Sequence, residues 1–217
     1  MSAPAEAGPG TGTGGRAGTI VRFGLATRWV HRTTGLLMGT CLVTAAMLYV
    51  GPLSQLVGRR ELVRTIHIYA GIGLPLPALA GVASALFRAD LRALNRFHPD
   101  DWRWLRSRDR RDGHIPVGKF NAGQKLFAGF TGGSIVVMLG TGLLMWRPHL
   151  IALKYRTGAT FVHDWLAIAI FILVLGHLKY ALADVEARRG MRTGRVPRDW
   201  AVREHARWVA SRTPPRE

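Results

Sequence analysis

The sequence is poor in cysteine and in acidic residues. Its 217 residues include one cysteine, Cys41, and 13 Asp and Glu against 30 Lys and Arg. A single cysteine excludes an internal disulfide, a protein-held iron–sulfur cluster and the C-x-x-C-H attachment of a c-type haem. Cys41 lies within an apolar segment, where a free cysteine is typically a small packing residue.

The net charge of +17 could indicate nucleic-acid binding, but the basic residues are not spread evenly. Hydrophobic residues make up 48% of the chain, and they form long uncharged segments separated by arginine-rich connections. This alternation is typical of a polytopic membrane protein, in which basic connections orient the helices. We therefore disfavour a role in nucleic-acid binding.

Four apolar segments approach the ~20 residues that a helix needs to cross a bilayer core. Pro75 and Pro77 fall inside the second, so we expect a kink there. We expect no cleaved signal peptide, because the first apolar run begins only after Arg28 and Arg32 and is too long for a signal sequence. The predicted spans are residues 29–50, 62–87, 126–146 and 160–183.

These segments predict an all-α integral membrane fold, a four-transmembrane-helix bundle within residues 20–186. Residues 1–19 are rich in Gly, Ala, Pro and Thr and are expected to be a disordered tail. The polar connection at 88–119 is expected to be a structured cytoplasmic loop or surface helix. The basic segment at 187–217 is expected to be a turn followed by an amphipathic helix that lies on the membrane or binds a partner.

The distribution of positive charge predicts the orientation of the bundle. With four spans, both termini and the 88–119 connection lie on one side, which carries 24 of the 30 Lys and Arg, and the other side carries six. The positive-inside rule places the richer side in the cytoplasm. We expect a multi-pass protein of the bacterial inner membrane with cytoplasmic N- and C-termini.

The fourth span carries two histidines, His163 and His177, fourteen residues apart. On an α-helix, fourteen residues return to within about 40° of the same face and advance about 21 Å. Ionisable side chains inside membrane helices are usually functional, and imidazole is a common haem ligand. The spacing therefore predicts two haems of the non-covalent b type, each with one axial ligand from this helix.

Topology assigns the second ligand of each haem. His31 begins the first span on the cytoplasmic side, and His67 begins the second span on the outer side. Only histidines at the same depth can bind one haem. His67 and His163 are therefore predicted to bind an outer haem, and His31 and His177 an inner haem. For any one of these histidines, the alternative is an ordinary polar residue near a helix end. No ligand role is assigned to the histidines in the connections and tail, which are His98, His114, His149 and His205.

Glycines are frequent in all four spans. They could allow close helix packing or the approach of a porphyrin, and we favour helix packing for each one. They are Gly35, Gly39, Gly71, Gly73, Gly129, Gly132, Gly133, Gly140, Gly142 and Gly176.

A polar cluster at residues 118–125 precedes the third span, at the depth of the inner haem. Its amide and bare backbone could bind a quinone carbonyl. The alternative is an ordinary helix start, with Lys119 and Lys125 reaching toward water and amides capping the helix. The residues alone slightly favour this alternative.

Three features together resemble a known family. They are K-F-N-A-G-Q-K at residues 119–125, the two histidines of the fourth span, and G-M-R-T-G-R-V-P-R-D-W-A-V-R-E-H-A-R-W after it. They are similar to the gamma subunit of membrane-bound formate dehydrogenases. That subunit is a di-haem cytochrome b related to the cytochrome b subunits of nickel–iron hydrogenases. The resemblance extends over residues 22–210, and the last motif favours the formate dehydrogenase branch.

The resemblance implies the haem ligands already named, and it implies a menaquinone or ubiquinone site at Asn121, Gly123, Gln124 and His177. It also implies partners, namely an iron–sulfur subunit and a molybdenum or tungsten catalytic subunit. Electrons would pass from the outer side through two haems to quinone on the cytoplasmic side. Because the chain has no motif for oxidising formate, that chemistry is expected in the partners.

The sequence leaves two alternative functions open. The chain could serve a nickel–iron hydrogenase or another outward-facing oxidoreductase, with the same architecture and a different electron donor. It could also be a transporter whose histidines carry metal or other ions. A transporter would be expected to have an acidic lining, but the fourth segment has only Asp164 and Asp184, both near its ends.

Overall fold

The computed structural model describes residues 18–109, 114–146, 149 and 151–212, and most of these residues are helical. The elements in chain order are β1 (Thr19–Val21), α1 (Leu25–Tyr49), α2 (Gly51–Val57), α3 (Arg60–Gly73), α4 (Leu76–Gly81), α5 (Ala85–Asn95), α6 (Pro99–Arg106), α7 (Ala122–Trp146), α8 (Leu153–Ala183), α9 (Val185–Thr193), β2 (Arg195–Pro197), α10 (Arg198–Glu204) and α11 (Ala206–Ala210).

Three helical segments of the described chain are long and apolar enough to cross a membrane: Arg60–Gly81, α7 and α8. Few of their side chains are buried within the chain, as expected for helices that face lipid. The helix α1 matches α7 in length, at 25 residues. Its apolar character is weaker because it carries Arg28, Arg32 and five threonines.

The second predicted span is interrupted where its prolines lie. The helix α3 ends at Gly73 and α4 begins at Leu76. Pro75 and Pro77 lack the N–H that would continue the helical hydrogen bonds. The helix α4 ends at Gly81, and α5 begins separately after Ser84, whose side chain accepts a hydrogen bond from the Phe87 N–H. The membrane-length segment therefore ends at Gly81, six residues before the predicted end at residue 87.

A small two-stranded sheet adds to the helices, and the fold remains mostly helical, as predicted. The strands β1 and β2 pair in antiparallel fashion, with Ile20 opposite Val196. Gly194, at φ 84°, ends α9 in the left-handed conformation and turns the chain into β2. The C-terminal segment thus consists of short elements instead of one amphipathic helix. Of the predicted tail, residues 1–17 lie outside the described residues, and Thr19 begins β1.

The long helices pack in two pairs, α1 with α3 and α7 with α8. A layer around Met38, Leu74 and Ile170 joins the pairs midway along their length. We call the end formed by residues 18–28, 85–109, 114–121 and 184–212 the basic end. The other end, which carries α2 and the start of α8, is the opposite end.

Candidate haem-binding sites

His31 and His177 lie beside each other toward the basic end. His31 is in the second turn of α1 and His177 is in the last turns of α8, and their ring centroids are 6.1 Å apart with 52° between the ring planes. Phe127 of α7 stacks on His177, with centroids 4.8 Å apart and an interplanar angle of 8°. Three helices therefore contribute rings to this position.

His67 and His163 form the equivalent pair toward the opposite end. Their ring centroids are 6.3 Å apart with 64° between the planes. Nδ1 of His67 lies 2.9 Å from Oγ1 of Thr44 on α1, and Nδ1 of His163 lies 2.9 Å from Oγ1 of Thr141 on α7. Since each Nδ1 has a hydrogen-bond partner, Nε2 is the nitrogen left to each ring for another ligand.

The separation of the rings leaves room for a metal between them. An imidazole nitrogen binds a metal at about 2.0 Å, so two imidazoles that share one metal do not touch each other. The ring centroids here are 6.1 and 6.3 Å apart. Both pairs are therefore residues that could hold a haem iron.

The two pairs are separated along α8 by an apolar layer. Ile170, which is buried in that layer, is seven residues from both His163 and His177. Seven residues advance about 10 Å along a helix, so each pair lies about that far from the layer. The arrangement separates two possible haem positions by apolar side chains.

Most of the glycines in the spans do not mediate helix packing. At eight of them, an added Cβ would have no heavy atom within 4 Å, not counting the adjacent residues and the nearby backbone of the same helix. Our preference for helix packing is therefore wrong at these positions, where the space beside the backbone is open. Gly73 and Gly142 do lie close to neighbours, namely Leu37 and His163. The eight glycines are Gly35, Gly39, Gly71, Gly129, Gly132, Gly133, Gly140 and Gly176.

The polar cluster before α7 forms a reciprocal helix cap. The Gln124 N–H donates to Oδ1 of Asn121 at 2.9 Å, and the Asn121 N–H donates to Oε1 of Gln124 at 3.0 Å. This is a capping box, which satisfies two N–H groups at the helix start. The Asn121 amide NH2 makes no hydrogen bond to any residue in the described part of the chain. A Cβ on Gly123 would lie 3.3 Å from the Trp104 ring, so there the indole passes close to the backbone.

Three successive carbonyls just before this cap are held by other parts of the chain. The Arg207 N–H donates to Val117 O at 3.1 Å, Nδ1 of His205 lies 2.7 Å from Gly118 O, and Nη2 of Arg22 donates to Lys119 O at 3.0 Å. Nη2 of Arg22 also lies 2.8 Å from Nε2 of His205. Because guanidinium only donates, Nε2 accepts and Nδ1 donates to Gly118.

Burial perturbs the ionisable groups of this region. Desolvation and the nearby Arg22 lower the pKa of His205 to about 3, so the imidazole is neutral. Desolvation lowers the pKa of Arg22 to about 10, which leaves it charged at neutral pH. It also lowers the pKa of Lys119, whose Nζ pairs with Asp90.

The four histidines to which we assigned no ligand role lie apart from both pairs. His98 precedes α6 and its backbone N–H donates to Asp101, His205 is buried at the basic end, and His114 and His149 are exposed. The described residues include no group of three or more His, Cys, Asp or Glu that could hold a metal ion.

The sequence pattern did not reveal several residues that contact the histidines. Thr44 is 23 positions from His67, and Thr141 is 22 positions from His163. No local motif links either threonine to its histidine, because the contacts depend on the rotation of neighbouring helices. Phe127, which stacks on His177, was missed for the same reason.

Comparison with known proteins identifies the family. The family model for prokaryotic cytochrome b561 matches residues 22–193. This chain belongs to the prokaryotic cytochrome b561 family. Membership implies haem b, and the two histidine pairs are the residues of this cytochrome that fit it.

Curated relatives of this cytochrome confirm the resemblance to formate dehydrogenase subunits. The cytochrome b556(Fdn) subunit of the nitrate-inducible formate dehydrogenase of Escherichia coli K12 is 28% identical over 166 residues, covering 72% of this chain and 73% of the relative. The cytochrome b556(fdo) subunit of the same organism is 26% identical over 206 residues, covering 89% and 93%. The formate dehydrogenase cytochrome b556 subunit of Haemophilus influenzae is 27% identical, covering 72% and 66%.

Proposed function

We propose that this chain is the membrane-anchoring di-haem cytochrome b subunit of a respiratory formate dehydrogenase. One haem b would be held by His67 and His163 and the other by His31 and His177. Haem supplies one-electron redox chemistry. The three relatives described above are all formate dehydrogenase subunits, which favours this assignment over the cytochrome subunit of a hydrogenase.

The observation that carries the proposal is that α8 contributes one histidine to each of two pairs. The rings of each pair are close enough to share one iron, with centroids 6.1 Å apart at the basic end and 6.3 Å apart at the opposite end. One rigid helix would thus set the distance between the two haems. An ion transporter is less well supported, because α8 carries a single carboxylate, Asp164, whereas an ion path would be expected to have acidic side chains at both depths.

The proposed orientation follows from the charge of the two ends. The described basic residues concentrate at the basic end, so the positive-inside rule places it in the cytoplasm. This requires α1 to cross the membrane as a fourth span, in a multi-pass protein of the bacterial inner membrane. Electrons would enter from an iron–sulfur subunit outside, and a molybdenum or tungsten subunit would oxidise formate. Inward electron transfer separates charge, worth about 2.3 kcal/mol per electron per 100 mV.

The proposed acceptor is menaquinone or ubiquinone at the start of α7. Asn121, Gly123 and Gln124 form this helix end, and Phe127, one turn further on, stacks on His177 of the inner pair. The Asn121 amide NH2 is available to donate to a quinone carbonyl while Oδ1 caps the helix. The hydrogen bonds to residues 117–119 would hold this helix end in place.

Haem stoichiometry tests the proposal. We expect the purified complex to contain two haems b for each copy of this chain by pyridine haemochrome assay. His67→Ala is expected to remove one haem, and His31→Ala to remove the other, since each loses one axial ligand. His149→Ala is the matched control because His149 is exposed and belongs to neither pair, and this variant should retain both haems. Absence of haem from the wild-type chain would refute the proposal.

A further inference from the structure

We propose that Thr44 and Thr141 are positioning residues for the histidine pair at the opposite end. Each threonine would fix its histidine as the tautomer with a proton on Nδ1, so that Nε2 is the ligating nitrogen of both rings. The inference rests on the proposed function, since it concerns how His67 and His163 bind the haem between them. It assigns a role to two residues on α1 and α7 that are not themselves ligands.

The hydrogen bonds of Thr44 determine the direction of its contact with His67. Its Oγ1 lies 2.6 Å from Thr40 O and 3.1 Å from Cys41 O in the preceding turn. Two oxygens at 2.6 Å repel unless a proton lies between them, so the single hydroxyl proton points to the Thr40 carbonyl. The hydroxyl oxygen can then only accept from Nδ1 of His67, 2.9 Å away.

Thr141 repeats this arrangement on a different helix. Its Oγ1 lies 2.8 Å from Val137 O and 3.2 Å from Met138 O, and it lies 2.9 Å from Nδ1 of His163. The adjacent Gly142 supports the ring from the same side, because a Cβ there would lie 3.5 Å from Cε1 of His163. Both ligands of one candidate haem are therefore held by a hydroxyl from a neighbouring helix.

The pair at the basic end is built differently. Neither His31 nor His177 makes a side-chain hydrogen bond to any residue that the structure describes, and His177 is contacted instead by the face of Phe127. A hydrogen bond from Nδ1–H makes an imidazole a more basic ligand, and such outer contacts tune the potential of a haem. A more basic ligand stabilises ferric iron. The threonines should therefore lower the reduction potential of the haem at the opposite end only.

Redox titration of valine and serine variants tests this inference in the intact complex. Valine matches threonine in shape and removes the hydroxyl, so Thr44→Val and Thr141→Val should each raise the midpoint potential of one haem and leave the other unchanged. The low-spin ferric EPR signal of that haem should shift as well. Thr44→Ser and Thr141→Ser restore the hydroxyl and should restore both properties. Thr40→Val is the matched control, because among the described residues its hydroxyl donates to the Leu36 carbonyl and contacts no histidine.

Haem content and the His67 tautomer also test the positioning role of the threonines. Loss of one haem from the valine variants that the serine variants restore supports positioning by the hydroxyl. Unchanged potentials and EPR signals in both valine variants, with two haems retained, would overturn the inference and leave the proposed function intact. A haem-free wild type would refute the proposed function instead. In that case the His67 tautomer can be measured by 15N NMR, where a proton on Nε2 would overturn the inference.

Discussion

Asn121 and Gln124 close the start of α7 by exchanging two hydrogen bonds, each from the backbone of one residue to the side chain of the other. The Asn121 side chain therefore combines an observed role and a proposed one: Oδ1 caps the helix, and the NH2 group would donate to a quinone. These two uses can be separated by substitution.

Asn121→Asp should keep the cap and lose the donor, because a carboxylate accepts the Gln124 N–H but has no NH2 group. We expect wild-type stability, both haems and impaired quinone reduction. Asn121→Ala should impair quinone reduction equally and also destabilise the helix end by about 1 kcal/mol. Haem reduction by the donor and reoxidation by added quinone would be followed spectroscopically. Normal quinone reduction by the aspartate variant would make Asn121 a capping residue only.

Lys125 and Asp101 form a buried ion pair that joins α7 to α6. Lys125 Nζ lies 2.6 Å from Asp101 and 2.8 Å from Arg96 O, and the two side chains are only 3% and 5% exposed. Lys125→Met should destabilise the protein by about 3–5 kcal/mol, because it leaves a buried carboxylate without its counter-charge. Thermal unfolding in detergent would measure this effect.

The exposed pair between Arg103 and Asp100 provides the control. Arg103 is 67% exposed, so Arg103→Met should cost less than about 1 kcal/mol. Equal destabilisation by the two methionine variants would show that breaking the buried Lys125–Asp101 pair costs no more than breaking the exposed pair.

Docking of the C-terminal segment should depend on pH through His205. Burial depresses the pKa of this histidine to about 3, below its ordinary value of 6.5. An undocked segment therefore binds a proton more readily than a docked one. Docking is favoured fully above pH 6.5 and weakens progressively as the pH falls toward 3.

Trp200 and Trp208 contact the His205 ring, so their fluorescence should report the loss of docking. His205→Gln should flatten this pH dependence, since glutamine can donate and accept hydrogen bonds without titrating in that range. A glutamine variant with the wild-type pH profile would assign the dependence to another group.

Gly194 and Gly58 both have positive φ, at 84° and 62°, but differ in their surroundings. A Cβ at Gly194 would lie 2.7 Å from the Phe23 carbonyl, whereas a Cβ at Gly58 would meet nothing within 4 Å. Gly58→Ala should cost about 1 kcal/mol, the conformational penalty alone. Gly194→Ala should cost clearly more, because it also separates β1 from the turn before β2. Equal thermal shifts for the two variants would contradict this reasoning.

Much of the helical framework was predictable from local pattern. Runs of apolar side chains located α1, α3, α7 and α8, since length and composition are properties of a single segment. The boundaries were less predictable. New helices begin after Pro75 and after Ser84 within one apolar run. The basic segment, expected to be a turn followed by one amphipathic helix, instead contains α9, β2, α10 and α11.

The contacts of the histidines were likewise predictable in part. By itself the sequence determined which histidines share a depth, because depth follows from helical rise and chain direction; the structure places these same pairs within ring contact. Only the tertiary structure decided that Thr44 and Thr141 contact two of them, and that His205 and Arg22 hold the chain before Asn121. Such contacts depend on how each helix is rotated and on where distant segments dock. The periodicity of a single helix predicts neither.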